Sequence, residues 1–208
     1  MPIRQAYKLP ILLYKPKFVK LKGKIIIDTS KIKTGMVKLG FSRVSIYPNS
    51  GIIFENKGGT ILFKGSCNIG NSSSISVGDI GHLVIGDDFS ATAMVKLICY
   101  SSIEFKENVT VGWDNIFMDT DFHKMTRLDG TFTKGYGSIL IGCNNWFGLR
   151  CTILKNSQTP DFCTIASNSI INSKINVESY SVIGGNPVTL KLEDIYMDKR
   201  NDEISYHE

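Results

Sequence analysis

Six residues, Ile141, Phe147, Ile153, Thr159, Ile165 and Ile171, stand on a strict six-residue spacing, and five of the six are large and apolar. An α-helix repeats near 3.6 residues and a strand alternates with period 2, so neither fits as a continuous element. Short strands joined by regular corners do fit. Around this ladder runs a second regularity. Gly142 and Gly148 each follow a rung, and four residues after a rung come Asn145, Cys151, Ser157, Cys163 and Ser169. A flat-sided coil needs a bulky wedge inside each face and a small residue at each tight corner, which is the division seen here.

Hexads of this kind resemble the hexapeptide repeat of the left-handed parallel β-helix, and the resemblance implies an all-β fold. Three hexads make one triangular coil in that fold. Phe105, Ile141 and Thr159 are then expected to stack in one column, Val111, Phe147 and Ile165 in the next, and Phe117, Ile153 and Ile171 in the third. The left-handed sense comes from the resemblance, since parallel crossovers are otherwise right-handed. Upstream the ladder is looser but visible in Phe63, Ile69 and Ile75, and it resumes at Ile85 after a slip in register. A second break follows Phe117. The stretch from about residue 122 to 138 lacks the pattern and reads as a loop thrown out from one corner, and long loops in compact domains usually carry function.

The 208 residues suit one domain, because each coil of a solenoid has only to bury its interior against its neighbours. Residues 23–186 are expected to form the helix and 187–208 a tail, cap or short helix. Charge is uneven: Arg4 to Arg43 holds eleven Lys or Arg against Asp28 alone, while the whole chain has 24 basic and 19 acidic residues. Residues 1–22 therefore read as a basic arm. With Ile11, Leu12, Leu13, Tyr14, Phe18 and Val19 interleaved, it suits an anionic membrane surface or phosphate-bearing substrates. The plainer reading is a first coil whose lysines point into solvent. No motif of nucleic-acid recognition accompanies the charge. No apolar run is long enough to span a bilayer, and Met1–Leu13 lacks a small-residue cleavage pattern. The five cysteines show no CxxC pair and no metal-ligand spacing, so they are expected reduced, in a cytoplasmic protein, with no metal.

Chemistry is expected at the second break, where Phe117-Met118-Asp119-Thr120-Asp121-Phe122-His123 runs off a rung into the loop. Histidine titrates near neutral pH and can take a proton from an alcohol. Only His82, His123 and His207 are available, and His123 alone lies at the base of the loop with two carboxylates beside it in sequence.

Three ordered landmarks make the resemblance specific. Asn144-Asn145-Trp146-Phe147-Gly148 resembles the Asn-x-Trp-Ile-Gly block of hexapeptide acyltransferases, and Gly185-Asn186-Pro187 their Gly-Asn-Pro ending. Asp119-Thr120-Asp121-Phe122-His123 is similar to a stretch of bacterial surface-polysaccharide O-acetyltransferases. That family implies transfer of an acetyl group from acetyl-CoA to a sugar hydroxyl in a homotrimer whose sites lie between adjacent helices. His123 takes the position of the general base. The main-chain amide of Leu149 takes that of the oxyanion donor, where galactoside acetyltransferases carry serine. Asp119 or Asp121 would orient the imidazole or hold acceptor hydroxyls. Trp146 and Gly148 would line the acetyl-CoA slot, with Ser167 on the pantetheine and Lys174 or Lys191 near the phosphates. The carbohydrate acceptor, whether a polysaccharide or its precursor, suits a site at the inner face of the membrane. Two other readings remain: N-acetylation of an amino nucleotide-sugar, and a non-catalytic β-helix scaffold. The zinc carbonic anhydrases of the same fold use three histidines in a spacing that this chain does not offer.

Overall fold

The computed structural model describes residues 3–206. The chain winds through three sheets of nine, seven and five strands, parallel except for the last strand of the nine, visiting each in turn, so that the sheets form the sides of a triangular prism. The first coil is Ile11–Leu13, Pro16–Leu21 and Lys24–Ile27, one strand for each side. We call the turn from the nine- to the seven-stranded sheet the first corner, that from the seven- to the five-stranded sheet the second, and the return to the nine-stranded sheet the third.

The three expected columns are present. Phe105 pairs with Ile141, and the neighbouring Leu140–Gln158 bridge sets Thr159 above it. Val111, Phe147 and Ile165 are in register, as are Phe117, Ile153 and Ile171. The apolar members are at most 1% exposed, so each rung removes a large side chain from water and contributes about 1.5–3 kcal/mol. Thr159, the one polar rung, is kept in place by its hydroxyl, which accepts the Gly142 N–H at 3.1 Å. Phe89, Phe105, Phe117 and Phe147 meet edge to face at centroid distances of 4.9, 4.8 and 5.1 Å and wind up the interior.

The small residues of the repeat do more than save space. Asn145, Cys151, Ser157, Cys163 and Ser169 are all buried at or beside corners, and the hydroxyls and amides among them satisfy backbone groups that the turning chain leaves unpaired. Asn145 Nδ2 donates to Pro160 O at 2.7 Å, and Ser157 Oγ to Ile171 O at 2.9 Å. Asn115 does the same, donating to Gly148 O at 2.8 Å while its Oδ1 accepts the Cys151 N–H at 2.9 Å. Both breaks of the ladder are insertions at the second corner. The turn around Gly78–Gly81 accounts for the slip before Ile85, and the long loop leaves between Ile116–Met118 and Ile139–Ile141.

Residues 11–22 are not a separate arm. Ile11–Leu13 pairs with Val37–Phe41, and Pro16–Leu21 with Ile52–Asn56, so the basic stretch is the first coil of the prism. Its apolar residues Phe18 and Leu21 line the interior end of the coil, and its lysines fall between the apolar runs. At the other end, Thr189–Leu192 folds antiparallel onto Ser181–Gly184 just after Gly185-Asn186-Pro187 and ends the parallel stacking. The tail is thus a cap, not a helix. It then follows the third corner back, with Tyr196 against Phe162 and Tyr180 and Lys199 on the Asp88 carboxylate at 3.1 Å.

All five cysteines are free, and four of them are buried. Burial pushes the Cys163 thiol up to about 12 and raises those of Cys67, Cys99 and Cys151 as well. At pH 8 a thiol of that kind is thiolate in only ~10⁻⁴ of molecules, which leaves little nucleophile. A chromogenic disulfide titration of the native protein should therefore find at most the half-buried Cys143 reacting, against all five in denaturant. Rapid native reaction of two or more would contradict this packing.

Candidate functional site

At the first corner the parallel coils leave a groove of about 290 Å³ lined by Thr92, Gly112, Trp113, Trp146, Phe147, Gly148, Leu149 and Ser167. Four of the residues singled out from sequence, Trp146, Gly148, Leu149 and Ser167, are thereby brought together. Gly148 is glycine because the next coil passes too close for anything else: a Cβ there would stand 2.6 Å from Ser167 Oγ and 2.9 Å from Ser167 N. The Leu149 N–H donates to Ser167 Oγ at 3.1 Å, so this amide points at an exchangeable hydroxyl and not into a strand ladder. Trp146 is 40% exposed and forms one wall. Lys191, on the capping strand, brings Nζ to 3.9 Å from where a Gly185 Cβ would lie, and Gly185 N–H donates to Ser169 Oγ at 3.0 Å on the same corner. Lys174 is elsewhere. It bridges to Gln158 and lines a separate hollow with Pro160, Ile175 and Glu178 beside the five-stranded sheet.

Three lining residues were not foreseen. Trp113 forms the wall beneath Leu149, with Gly112 under Gly148 and Thr92 a further coil down. Its buried indole N–H has no acceptor among the described residues. Tyr47 packs against Trp113 at 6.1 Å and donates its hydroxyl to Asp114 Oδ2 at 3.0 Å. Burial and that carboxylate raise the Tyr47 phenol above its ordinary value. The register held the signal for Trp113, because stacking Val111 under Phe147 sets the residue two after each rung in line.

His123 lies at the root of the second-corner loop, which is an antiparallel hairpin with bridges Thr120–Tyr136 and Thr126–Phe132. Asp121 N–H donates to Gly135 O at 2.8 Å. Gly135, at φ +64, has no room for a side chain: a Cβ there would stand 2.7 Å from His123 O. Phe122 before it adopts φ +59, a strained conformation for a bulky residue, while its ring packs edge-on against Tyr100 at 4.8 Å. The His123 side chain is exposed.

Both carboxylates beside His123 in sequence have partners of their own. Asp119 is fully buried, and its two oxygens accept the N–H groups of Tyr100 and Ser101, each at 2.8 Å, from the coil below. Burial raises its carboxyl above the ordinary value despite these donors. Asp121 is paired with Lys155, Nζ to Oδ1 at 2.6 Å. His82 begins a strand of the five-stranded sheet, and His207 lies outside the described residues.

No protein-family model matches the chain. It is 28% identical over 187 residues to a Klebsiella pneumoniae protein described as an uncharacterized 24.8 kDa protein in the cps region, covering 88% of this chain and 82% of that one. Among solved structures it resembles the polysialic-acid-specific acetyltransferase NeuO, with a TM-score of 0.58 at 16% identity over 90% of this chain and 74% of that one. The polysialic acid O-acetyltransferase OatWY is also similar, at 14% identity, TM-score 0.43, over 95% and 93%. The fold is that of the hexapeptide-repeat acetyltransferases, a left-handed parallel β-helix.

On this hexapeptide-repeat scaffold the Trp146 groove and His123 occupy different corners of one prism. Within one chain His123 does not sit at the corner of Trp146. The loop leaves one strand too late: it departs from the seven-stranded sheet, whereas Trp146 and Leu149 turn off the nine-stranded one.

Proposed function

We propose that the protein is an acetyl-CoA-dependent O-acetyltransferase acting on a sugar hydroxyl, with His123 as the general base. The observation that carries this reading is the first-corner groove. It gathers an aromatic wall, the Leu149 amide and the Ser167 hydroxyl that this amide donates to, in the order that the acyltransferase landmarks imply. Such a slot suits a pantetheine arm, whose methylenes Trp113 and Trp146 would cover. Lys191, further along the same corner, suits the phosphates better than Lys174 does.

In the reaction the acceptor hydroxyl oxygen attacks the thioester carbonyl as His123 takes its proton. The oxyanion so formed accepts the Leu149 N–H in place of the Ser167 hydroxyl. Collapse then breaks the carbon–sulfur bond, and the CoA thiolate recovers the proton from the imidazolium. Because His123 and the groove belong to different corners, the loop of one copy must reach the groove of the next, and a closed homotrimer satisfies this for every site. The NeuO likeness and the relative from the cps region favour a polysaccharide or its precursor as acceptor.

The test is CoA release from acetyl-CoA over a panel of free sugars, nucleotide sugars and oligosaccharides, together with sedimentation equilibrium of the same sample. Acceptor-dependent release by a trimer is the expected result. A stable monomer, or release no faster than without acceptor across the whole panel, would sink the assignment.

A further inference from the structure

The N-terminal end of the prism is open. Leu39, Phe54 and Phe63 of the second coil, each at most 3% exposed, form the floor of an apolar cavity of about 240 Å³, and Leu13, Phe18 and Leu21 of the first coil form its rim at 37%, 49% and 55% exposure. Every residue of Pro16–Leu21 is exposed. Solenoids ordinarily close such an end with a polar outer face. Here the first coil carries Lys17, Lys20 and Lys24 on its strands and Lys15 and Lys22 in the turns beside them, and no acidic residue precedes Asp28.

Part of this pattern has a defensive explanation. Lysine, proline and a bulge are the devices that stop an edge strand from pairing with another chain, and the strand Pro16–Leu21 has all three, its bulge falling between Phe18 and Lys20. They account for the cations and exclude strand addition. They do not account for Phe18, Val19 and Leu21, three exposed apolar side chains set between the lysines. A second copy docked end to end would oppose two lysine collars with no acid on either side, so charge disfavours it. What remains is a non-directional surface of apolar tips ringed by cations. That is the chemistry which inserts into the headgroup layer of an anionic bilayer, with lysine stems lying along the apolar surface and the ammonium groups on phosphate.

We infer that the open first coil docks end-on to an anionic lipid surface, through Phe18, Val19 and Leu21 with the collar of Lys15 to Lys24. The inference does not depend on acyl transfer, and its test contains no acetyl-CoA. Flotation of the full chain with phosphatidylcholine vesicles is compared with vesicles containing about one-third phosphatidylglycerol; the anionic vesicles should bind on the order of 100-fold more strongly at low salt, with strong loss at high salt. Two exposed-site variants divide the contributions. Lys17→Gln/Lys20→Gln/Lys22→Gln should abolish the preference for anionic lipid. Phe18→Ser/Leu21→Ser, with charge unchanged, should weaken binding about tenfold. Circular dichroism melts of both variants establish that they are folded.

Equal binding to the two lipids overturns the inference. So does full binding by the Phe18/Leu21 variant, which would mean adsorption by lysine alone. Wild-type sedimentation at twice the mass of the Phe18/Leu21 variant would assign the end to a second copy. Absence of vesicle binding would leave an acidic protein as the partner and refute the lipid.

Discussion

His123→Ala should lower acceptor-dependent acetyl transfer by about 10²–10⁴, the range that a positioned general base contributes. The loss should fall on kcat and leave the KM for acetyl-CoA nearly unchanged, because the imidazole acts on the acceptor proton as the transition state forms. The fold should not notice. His123 is exposed on a hairpin held by backbone bonds, so the melting temperature should stay within about a degree, as for surface substitutions remote from structural contacts. Mixing gives a sharper test. If His123 of one copy serves the groove of another, trimers assembled from His123→Ala and Trp146→Ala chains should recover activity in the sites that combine one intact loop with one intact groove. Activity of His123→Ala within threefold of wild type, or no recovery on mixing, would remove His123 from the chemistry.

The sequence made the scaffold legible because a solenoid interior is a linear code. Each rung meets only the rung above and below, so a spacing of six states which residues touch, and Phe105, Val111 and Phe117 were placed under partners up to 36 residues away along the chain. Trp146, Gly148, Leu149 and Ser167 were singled out by the resemblance, and they gather at one corner because each keeps a fixed offset from the ladder. The roles of Asp119 and Asp121 were not. Adjacency in sequence suggested a shared task with His123, but the chain leaves the ladder between them. Asp119 still belongs to the corner, where it faces inward to two amides, and Asp121 already belongs to the hairpin, where Lys155 holds it. Lys174 and Lys191 differ in the same way. Both are basic residues near the end of the helix, and only the antiparallel return of Thr189–Leu192 decides which one sits at the first corner. The basic start left two readings open, an arm or a first coil, because the strand Pro16–Leu21 is exposed throughout and gives no burial pattern by which a strand is recognised; its pairing with Ile52–Asn56 supports the plainer reading.

Asp119→Ala should behave as the opposite of His123→Ala, keeping chemistry and losing structure. The substitution leaves the N–H groups of Tyr100 and Ser101 without their acceptors at a part-buried corner, and donors left unpaired away from water cost about 1–3 kcal/mol each. For a chain of this size a loss of roughly 3 kcal/mol lowers the melting temperature by about 6–12 °C. At a temperature where the variant remains folded, its kcat should lie within a few-fold of wild type; a hundredfold fall with unchanged stability would return Asp119 to the catalytic apparatus. The pH dependence adds a second check. Burial holds the Asp119 carboxyl above its ordinary value, so its proton is bound more tightly in the folded chain than in the unfolded one. The contribution of this group to stability is then greatest below the unfolded carboxyl value near ~4 and declines as the pH rises through the folded value. Denaturant melts across that window should therefore show the advantage of wild type over Asp119→Ala narrowing from acid towards neutral pH. An advantage that widened instead would mean that the two amide bonds outweigh burial, and that Asp119 is held as a carboxylate throughout.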